Sequence, residues 1–148
     1  MTQSNARVVE LRTKFQQARA ELQQALAENA RADVADYVFA TLKGPATLSS
    51  LFGKKRDLFV IHNMGRGCNS CTMWADGFNG LYPHIRDRAS FVVSNAETPE
   101  QQAEFAASRG WTFPMVSTQG NTFAANMGFT TAAGKPTPGV SAFQKVDG

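Results

Sequence analysis

The fold is decided by residues 57–71, which read DLFVIHNMGRGCNSC. Residues 58–61 are a continuous apolar run bounded by charge and a loop, a pattern typical of a strand buried on both faces of a parallel sheet. A glycine-containing connection follows, and two cysteines then stand three residues apart where a helical pattern begins. In open sheets of this kind, sites form beyond the carboxyl ends of the strands. The sequence therefore places Cys68 and Cys71 where chemistry is expected.

Strand and helix patterns alternate on both sides of this stretch. Strands are expected at residues 37–41, 57–62, 89–94, 113–117 and 140–146. Helices or helical turns are expected at 47–53, 69–78, 98–110 and 121–127, with Gly77, Gly80 and Pro83 interrupting the pattern after the cysteines. The alternation predicts an α/β fold with a mainly parallel sheet.

A long amphipathic helix is predicted at residues 6–32. Its apolar residues recur at alternating steps of three and four and form one stripe, namely Val8, Leu11, Phe15, Ala18, Leu22 and Ala25. The stripe favours a helix that lies across the core of its own domain. A coiled-coil or dimer seam is the alternative.

Composition excludes several classes of protein. The 148 residues are 43% hydrophobic, enough for the core of a single domain without disulfides or a metal. The net charge of +3 is spread along the chain, so no nucleic-acid partner is expected. No apolar run approaches the ~18 residues of a membrane span, and residues 1–7 lack a secretory pattern. We therefore expect a cytoplasmic protein without a membrane partner, a setting in which cysteines tend to be catalytic, redox-sensing or metal-binding.

The spacing of the two cysteines favours redox chemistry. Cysteines at i and i+3 of a helix start lie on one face, and the free N–H groups and the helix dipole stabilise a thiolate there. Cys68 comes first and is expected to attack, and Cys71, one turn further on, to resolve the mixed disulfide. Arg66 could favour the thiolate further. The plainer alternatives are a buried core cysteine at position 71 and a solvated loop arginine at position 66.

The sequence resembles the thioredoxin superfamily and, more closely, a bacterial family of unknown function whose members are labelled predicted dithiol–disulfide oxidoreductases. The resemblance runs from about Tyr37 to Val146 and is densest over residues 61–80, with further matches at 111–114 and 138–141. It implies a thioredoxin-like α/β fold with a central mixed sheet flanked by helices, and Cys68 and Cys71 as the redox pair. It also implies that Pro138, after Thr137, is a cis-proline facing the dithiol and that both position the substrate chain.

Further expectations concern the organisation of the chain and its partners. The chain is expected to divide into an N-terminal helical extension, residues 1–35, and a thioredoxin-like domain, residues 36–148. Members of the family continue beyond the position of Gly148 into another strand and helix, so this segment is expected to be missing. The expected partner is a thiol or disulfide substrate, either a protein or a small molecule, with no cofactor and with a homodimer as a possibility.

Three other functions compete with disulfide exchange. Peroxiredoxins share the fold, but when their attacking cysteine is aligned with Cys71, their proline and threonine correspond to Met64 and Cys68. A structural zinc could use both cysteines, His84 and His62, although the second histidine of a finger pattern is absent. A non-enzymatic interaction module with the N-terminal helix as a docking arm is the third.

Other side chains near the dithiol are expected to be structural. The aromatic residues Trp74 and Phe78 are predicted to lie in the core, and Trp111 and Phe113 beneath the 99–109 helix. His62 is expected to be a partly buried strand residue and His84 a surface residue. For Asp76 two roles stay open, a solvated helix residue or a proton acceptor for Cys71.

Overall fold

The computed structural model describes residues 3–29 and 32–146, with a division into two compact units between Ala35 and Asp36. The first unit holds a single helix, α1 (Gln3–Asn29). The second unit holds, in chain order, β1 (Val38–Thr41), β2 (Gly44–Thr47), α2 (Leu48–Leu51), β3 (Asp57–His62), α3 (Asn69–Arg88), β4 (Ser90–Asn95), α4 (Pro99–Arg109), β5 (Met115–Ser117), α5 (Phe123–Asn126) and β6 (Gly139–Gln144).

The six strands form one mixed sheet in the order β2-β1-β5-β4-β3-β6. Only its centre is parallel: β3 pairs with β4, and β4 with β5, in parallel register. The outer pairings β1–β2, β1–β5 and β3–β6 are antiparallel. The mixed sheet flanked by helices is confirmed, whereas the mainly parallel sheet predicted from alternation alone is wrong. Only β1–β2 is a short hairpin; β1–β5 and β3–β6 pair strands that are distant in sequence, so the local alternation of strands and helices does not reveal their direction.

The sheet separates two apolar layers because successive strand residues point to opposite faces. On one face, Phe39, Leu58, Val60 and Phe123 pack with the residues of α2. On the other face, Ile61, Phe91 and Val93 pack against α3 and α4. The central strands β3 and β4 are therefore apolar on both faces, as their continuous runs predict.

Two helices of the second unit show how local signals and packing compete. In α4, the Thr98 side chain accepts from the Gln101 N–H and the Gln101 side chain accepts from the Thr98 N–H, which forms a capping box at the start of the helix. In contrast, α3 continues through Gly77, Gly80 and Pro83 to Arg88. The predicted interruption is wrong because Phe78, Tyr82 and Ile85 bury one face of this helix against the sheet, and packing outweighs helix propensity.

The apolar stripe of α1 is exposed. The exposed fractions are 43% for Val8, 48% for Leu11, 64% for Phe15 and 60% for Leu22. The helix forms a compact unit of its own and does not cover this stripe itself, so the packing of the stripe across a domain core stays a prediction. None of the helices in the described part of the chain is both long and apolar enough to span a membrane.

Candidate functional site

The two cysteines are joined as a disulfide at the N-terminus of α3. Cys68 is the N-cap residue, and its Sγ accepts a hydrogen bond of 3.1 Å from the Cys71 N–H. Cys68 is half-buried, whereas Cys71 is only 6% exposed. Cys68 is thus the more exposed residue of the pair, and its sulfur lies at the position where a helix N-terminus favours negative charge.

A groove of about 530 Å³ runs beside the disulfide, and we call it the dithiol groove. Its walls come from the end of β3 and the loop after it, from the first three turns of α3, and from the start of β6. The lining residues are Ile61, His62, Asn63, Met64, Cys68, Ser70, Cys71, Trp74, Ala75, Phe78, Pro138, Gly139 and Val140. Most of these side chains are apolar, so the groove presents the disulfide within a largely apolar surface.

Pro138 lines this groove with the cysteines, but the prediction of a cis peptide bond before Pro138 is wrong. The Thr137–Pro138 bond is trans, and the proline simply precedes the first residue of β6. Thr137 is not among the lining residues, and its N–H donates to the Phe129 carbonyl at 3.0 Å. The structure therefore brings Pro138, but not Thr137, to the cysteines.

Arg66 is held by an acidic partner that the sequence analysis did not single out. Its backbone N–H donates to Glu97 Oε1 at 3.0 Å, and its Nε lies 3.5 Å from the same oxygen. Asn95 Nδ2 donates to Glu97 Oε2 at 3.1 Å and fixes the carboxylate from the other side. The guanidinium is thus paired with Glu97, and Arg66 does not line the dithiol groove.

Gly65 is required where the loop passes Glu97. Its φ is +90°, a conformation that side chains disfavour, and a Cβ there would lie 3.0 Å from Glu97 Oε1. Asn63 closes the same loop, because its Oδ1 accepts from the Gly65 N–H at 2.7 Å. Glu97 follows β4, the parallel neighbour of β3. Because functional sites form at the carboxyl ends of parallel strands, the position of Glu97 just after a predicted strand could have identified it from the sequence.

His62 is buried within an aromatic stack. It is 4% exposed, and its ring lies parallel to Phe129 at 3.9 Å and to Phe123 at 5.3 Å between centroids. Its Nε2 is 2.8 Å from Ser141 Oγ, while Nδ1 is buried with no partner among the described residues. Burial lowers the pKa of His62 from 6.5 to about 4. The ring is therefore neutral at pH 7 and brings no positive charge to the groove.

The buried neutral histidine predicts a pH dependence of stability. Because the pKa is lower in the folded state, the unfolded chain binds more protons between pH 4 and 6.5. The stabilisation is complete above pH 6.5 and is lost as the pH falls towards 4, by about 3 kcal/mol in total. Denaturant titrations of the His62→Phe variant should show a much flatter dependence in this window.

The other histidine is a matched control for this prediction. His84 is exposed on α3, so His84→Phe should leave the pH dependence unchanged. A His62→Phe variant that keeps the full slope between pH 4 and 6.5 would contradict the assignment.

Other predicted residues lie partly as expected. Trp111 is 9% exposed and Phe113 is 5% exposed, and Trp111 packs edge-on against Phe105 of α4, which confirms their burial. Trp74 is 62% exposed, so its predicted place in the core is wrong, because the helix turns this side chain towards the groove rather than the sheet. Phe78 is half-buried and packs against Phe91.

Asp76 is not positioned as a proton acceptor. Arg109 pairs with the carboxylate, and the Trp111 Nε1–H donates to its Oδ1 at 2.8 Å. These hydrogen bonds, first that of Arg109 and then that of Trp111, lower the pKa of Asp76. Across residues 3–29 and 32–146, no group of three His, Cys, Asp or Glu side chains is arranged to hold a metal ion. The zinc alternative therefore gains no support.

Comparison with known proteins identifies relatives of this architecture. A family model described as a bacterial protein of unknown function (DUF899) matches residues 5–148. No curated protein matches the chain. The solved structure of peroxidoxin BcpB from Mycobacterium tuberculosis is similar, with a TM-score of 0.61 and 28% identity over 72% of this chain and 71% of that chain.

Two further structures share the fold alone. Peroxiredoxin Q from Xanthomonas campestris has a TM-score of 0.56 and 18% identity over 75% of this chain and 82% of its own. A putative protein disulfide isomerase from Bacteroides thetaiotaomicron has a TM-score of 0.51 and 24% identity over 62% of this chain and 59% of its own. Together these similarities confirm the expected thioredoxin-like fold.

Proposed function

We propose thiol–disulfide exchange as the activity of this chain, which belongs to DUF899, a family of bacterial proteins of unknown function. The observation that carries the proposal is the pairing of Cys68 and Cys71 at the N-terminus of α3, beside an open groove. Cys68 is the attacking residue because it is the more exposed of the two cysteines. Cys71 is the resolving residue because it is buried within bonding distance of Cys68.

The exchange balances without a cofactor. The Cys68 thiolate attacks one sulfur of a substrate disulfide, and the other substrate sulfur leaves as a thiolate that takes up a proton. Cys71 then loses its proton and attacks Cys68 Sγ, which releases the second substrate thiol and forms the Cys68–Cys71 disulfide. The substrate gains two electrons and the protein loses two, so a further thiol system must return them.

Substrate would bind in the dithiol groove. Pro138 lines the groove together with the cysteines, and the exposed Met64, Trp74 and Val140 offer apolar contacts there. Thr137 would contribute through the backbone that leads into Pro138. Arg66 would act on the thiolate only where its pairing with Glu97 loosens. The reducing cytoplasm is the compartment we propose, since only two cysteines occur and both belong to the pair.

The redox potential of the pair tests the proposal. Purified protein is equilibrated in glutathione buffers, and free thiols are trapped by alkylation. We expect a reversible two-electron transition between about −120 and −270 mV, the range of working disulfide exchangers. The matched control is the Cys68→Ser/Cys71→Ser variant, which should show no transition. Cysteines that never pair under oxidising buffers would refute the proposal.

Thiol peroxidase activity is a second candidate, favoured by the similarity to peroxidoxin BcpB. In that reaction the Cys68 thiolate attacks a peroxide oxygen, giving a sulfenic acid and releasing water or an alcohol. Cys71 then condenses with the sulfenic acid, releasing water and forming the disulfide. Consumption of hydrogen peroxide with dithiothreitol as the electron source distinguishes the two: a rate no faster than that of the double serine variant excludes the peroxidase.

A further inference from the structure

The exposed face of α1 repeats with the period of a coiled coil. Val8, Leu11, Phe15, Ala18 and Leu22 follow one another at alternating steps of three and four, which assigns them to positions a and d of successive heptads. The four large side chains among them are 43% to 64% exposed. An apolar face with this spacing fits another helix, since each residue can insert between four residues of the partner.

We propose that α1 pairs with α1 of a second copy of this chain, in antiparallel orientation. In the heptad numbering set by Val8, charged residues occupy the flanking positions. Position g holds Arg7, Lys14, Glu21 and Glu28, while position e holds Arg12 and Arg19. The distribution of these charges decides the orientation. In an antiparallel pair, position g of one helix faces position g of the other, and e faces e. In a parallel pair, position g of one helix faces position e of the other.

The antiparallel arrangement has the better charge balance. Arg7 faces Glu28 of the second copy, and Lys14 faces Glu21 of the second copy. Two-fold symmetry repeats each pair, giving four attractive contacts. The other flank brings Arg12 near Arg19, which is repulsive and occurs twice. In a parallel pair, Arg7 would face Arg12 and Lys14 would face Arg19, so all of these contacts would repel.

Side-chain volumes fit the same arrangement. With g paired to g in this register, Phe15 lies opposite Ala18 of the second copy, and Leu11 lies opposite Leu22. The layer of Phe15 and Ala18 sets a large side chain opposite a small one, which lets facing layers interdigitate without voids. Within each helix, Glu10 already binds Arg7 at 2.9 Å and Lys14 at 2.7 Å and holds both side chains along the helix surface.

The mass of the full-length protein in solution tests the pairing. Sedimentation equilibrium should give a dimer at high micromolar concentration. Phe15→Glu, in the seam, should give a monomer with an unchanged circular dichroism spectrum. Gln16→Glu is the matched control, because the neighbouring position b receives the same charge and should leave the dimer intact. The proposal would be overturned if the natural protein were a monomer, including a monomer in which packing against its own chain protects the α1 amides from hydrogen exchange. It would also be overturned if the Phe15→Glu variant were still a dimer.

A charge exchange tests the orientation. Glu21→Lys should raise the dimer dissociation constant about threefold to tenfold, because two exposed ion pairs become repulsive. Lys14→Glu combined with Glu21→Lys restores those pairs and should return the constant to its original value. A parallel pair would respond differently: position 21 then faces Leu26, so Glu21→Lys would have no effect, and the double variant would strengthen the dimer. The redox activity does not enter this test.

Discussion

Replacement of Cys68 by serine should reduce thiol–disulfide exchange by on the order of 10³-fold or more, the scale of loss when an attacking nucleophile is removed. The reason is positional: Cys68, the N-cap residue of α3, is the more exposed of the two cysteines, whereas Cys71 is 6% exposed. A hydroxyl at position 68 remains protonated and cannot form the mixed disulfide. The rate of exchange is measured as the reduction of a model disulfide that releases a coloured thiol.

Serine variants of the two cysteines should block different steps of the exchange. Cys71→Ser keeps the attacking thiol, so the mixed disulfide forms and then accumulates, which mass spectrometry of the intact protein detects. Ser70→Ala is the control, because Ser70 lies between the cysteines and lines the groove without bearing a thiol. Trapping of substrate by Cys68→Ser instead of Cys71→Ser would show that the two roles are reversed.

Replacement of Phe123 by alanine should lower the free energy of unfolding by about 3–5 kcal/mol, as expected when a fully buried phenylalanine is truncated. Phe123 is 0% exposed and is the centre of an aromatic cluster. Its ring lies 5.0 Å from Phe39, 5.2 Å from Tyr37 and 5.3 Å from His62 between centroids. Phe123 of the short helix α5 therefore packs against both β1 and the buried His62. The cavity left by alanine would weaken the packing of both.

Phe59 supplies the matched control for this substitution. It belongs to β3 but is 37% exposed, so Phe59→Ala removes the same atoms from a site that already contacts water. Denaturant unfolding monitored by fluorescence should show a clearly smaller loss than for Phe123→Ala. Equal losses would contradict the central place of α5 in this layer of the core.

Structural features caused by residues that are neighbours in sequence could be predicted, whereas features caused by contacts between distant residues could not. The capping box of α4 and the strands β3 and β4 were predictable, because the residues that cause them are neighbours in sequence. Strand β2 was missed, since Gly44 and Pro45 indicate a turn and only pairing with β1 extends them into an edge strand. The end of α3 was missed for the same kind of reason, because the packing that carries the helix past Pro83 comes from the sheet.

Local sequence patterns were enough to predict that two cysteines lie at the start of a helix after a buried strand. Spacing and strand pattern are local properties, and they predicted an α/β fold; the thioredoxin-like form of that fold was implied by the family resemblance of residues 37–146. The groups that surround the pair come from elements distant in sequence, and the folded chain was needed to identify them. Glu97 lies 31 residues from Arg66, and Ser141 lies 79 residues from His62. The pairing of β3 with β4 and with β6 brings the segments that carry these residues close together. The pairing of Arg66 and the neutral state of His62 depend on burial and contacts that form when the sheet closes.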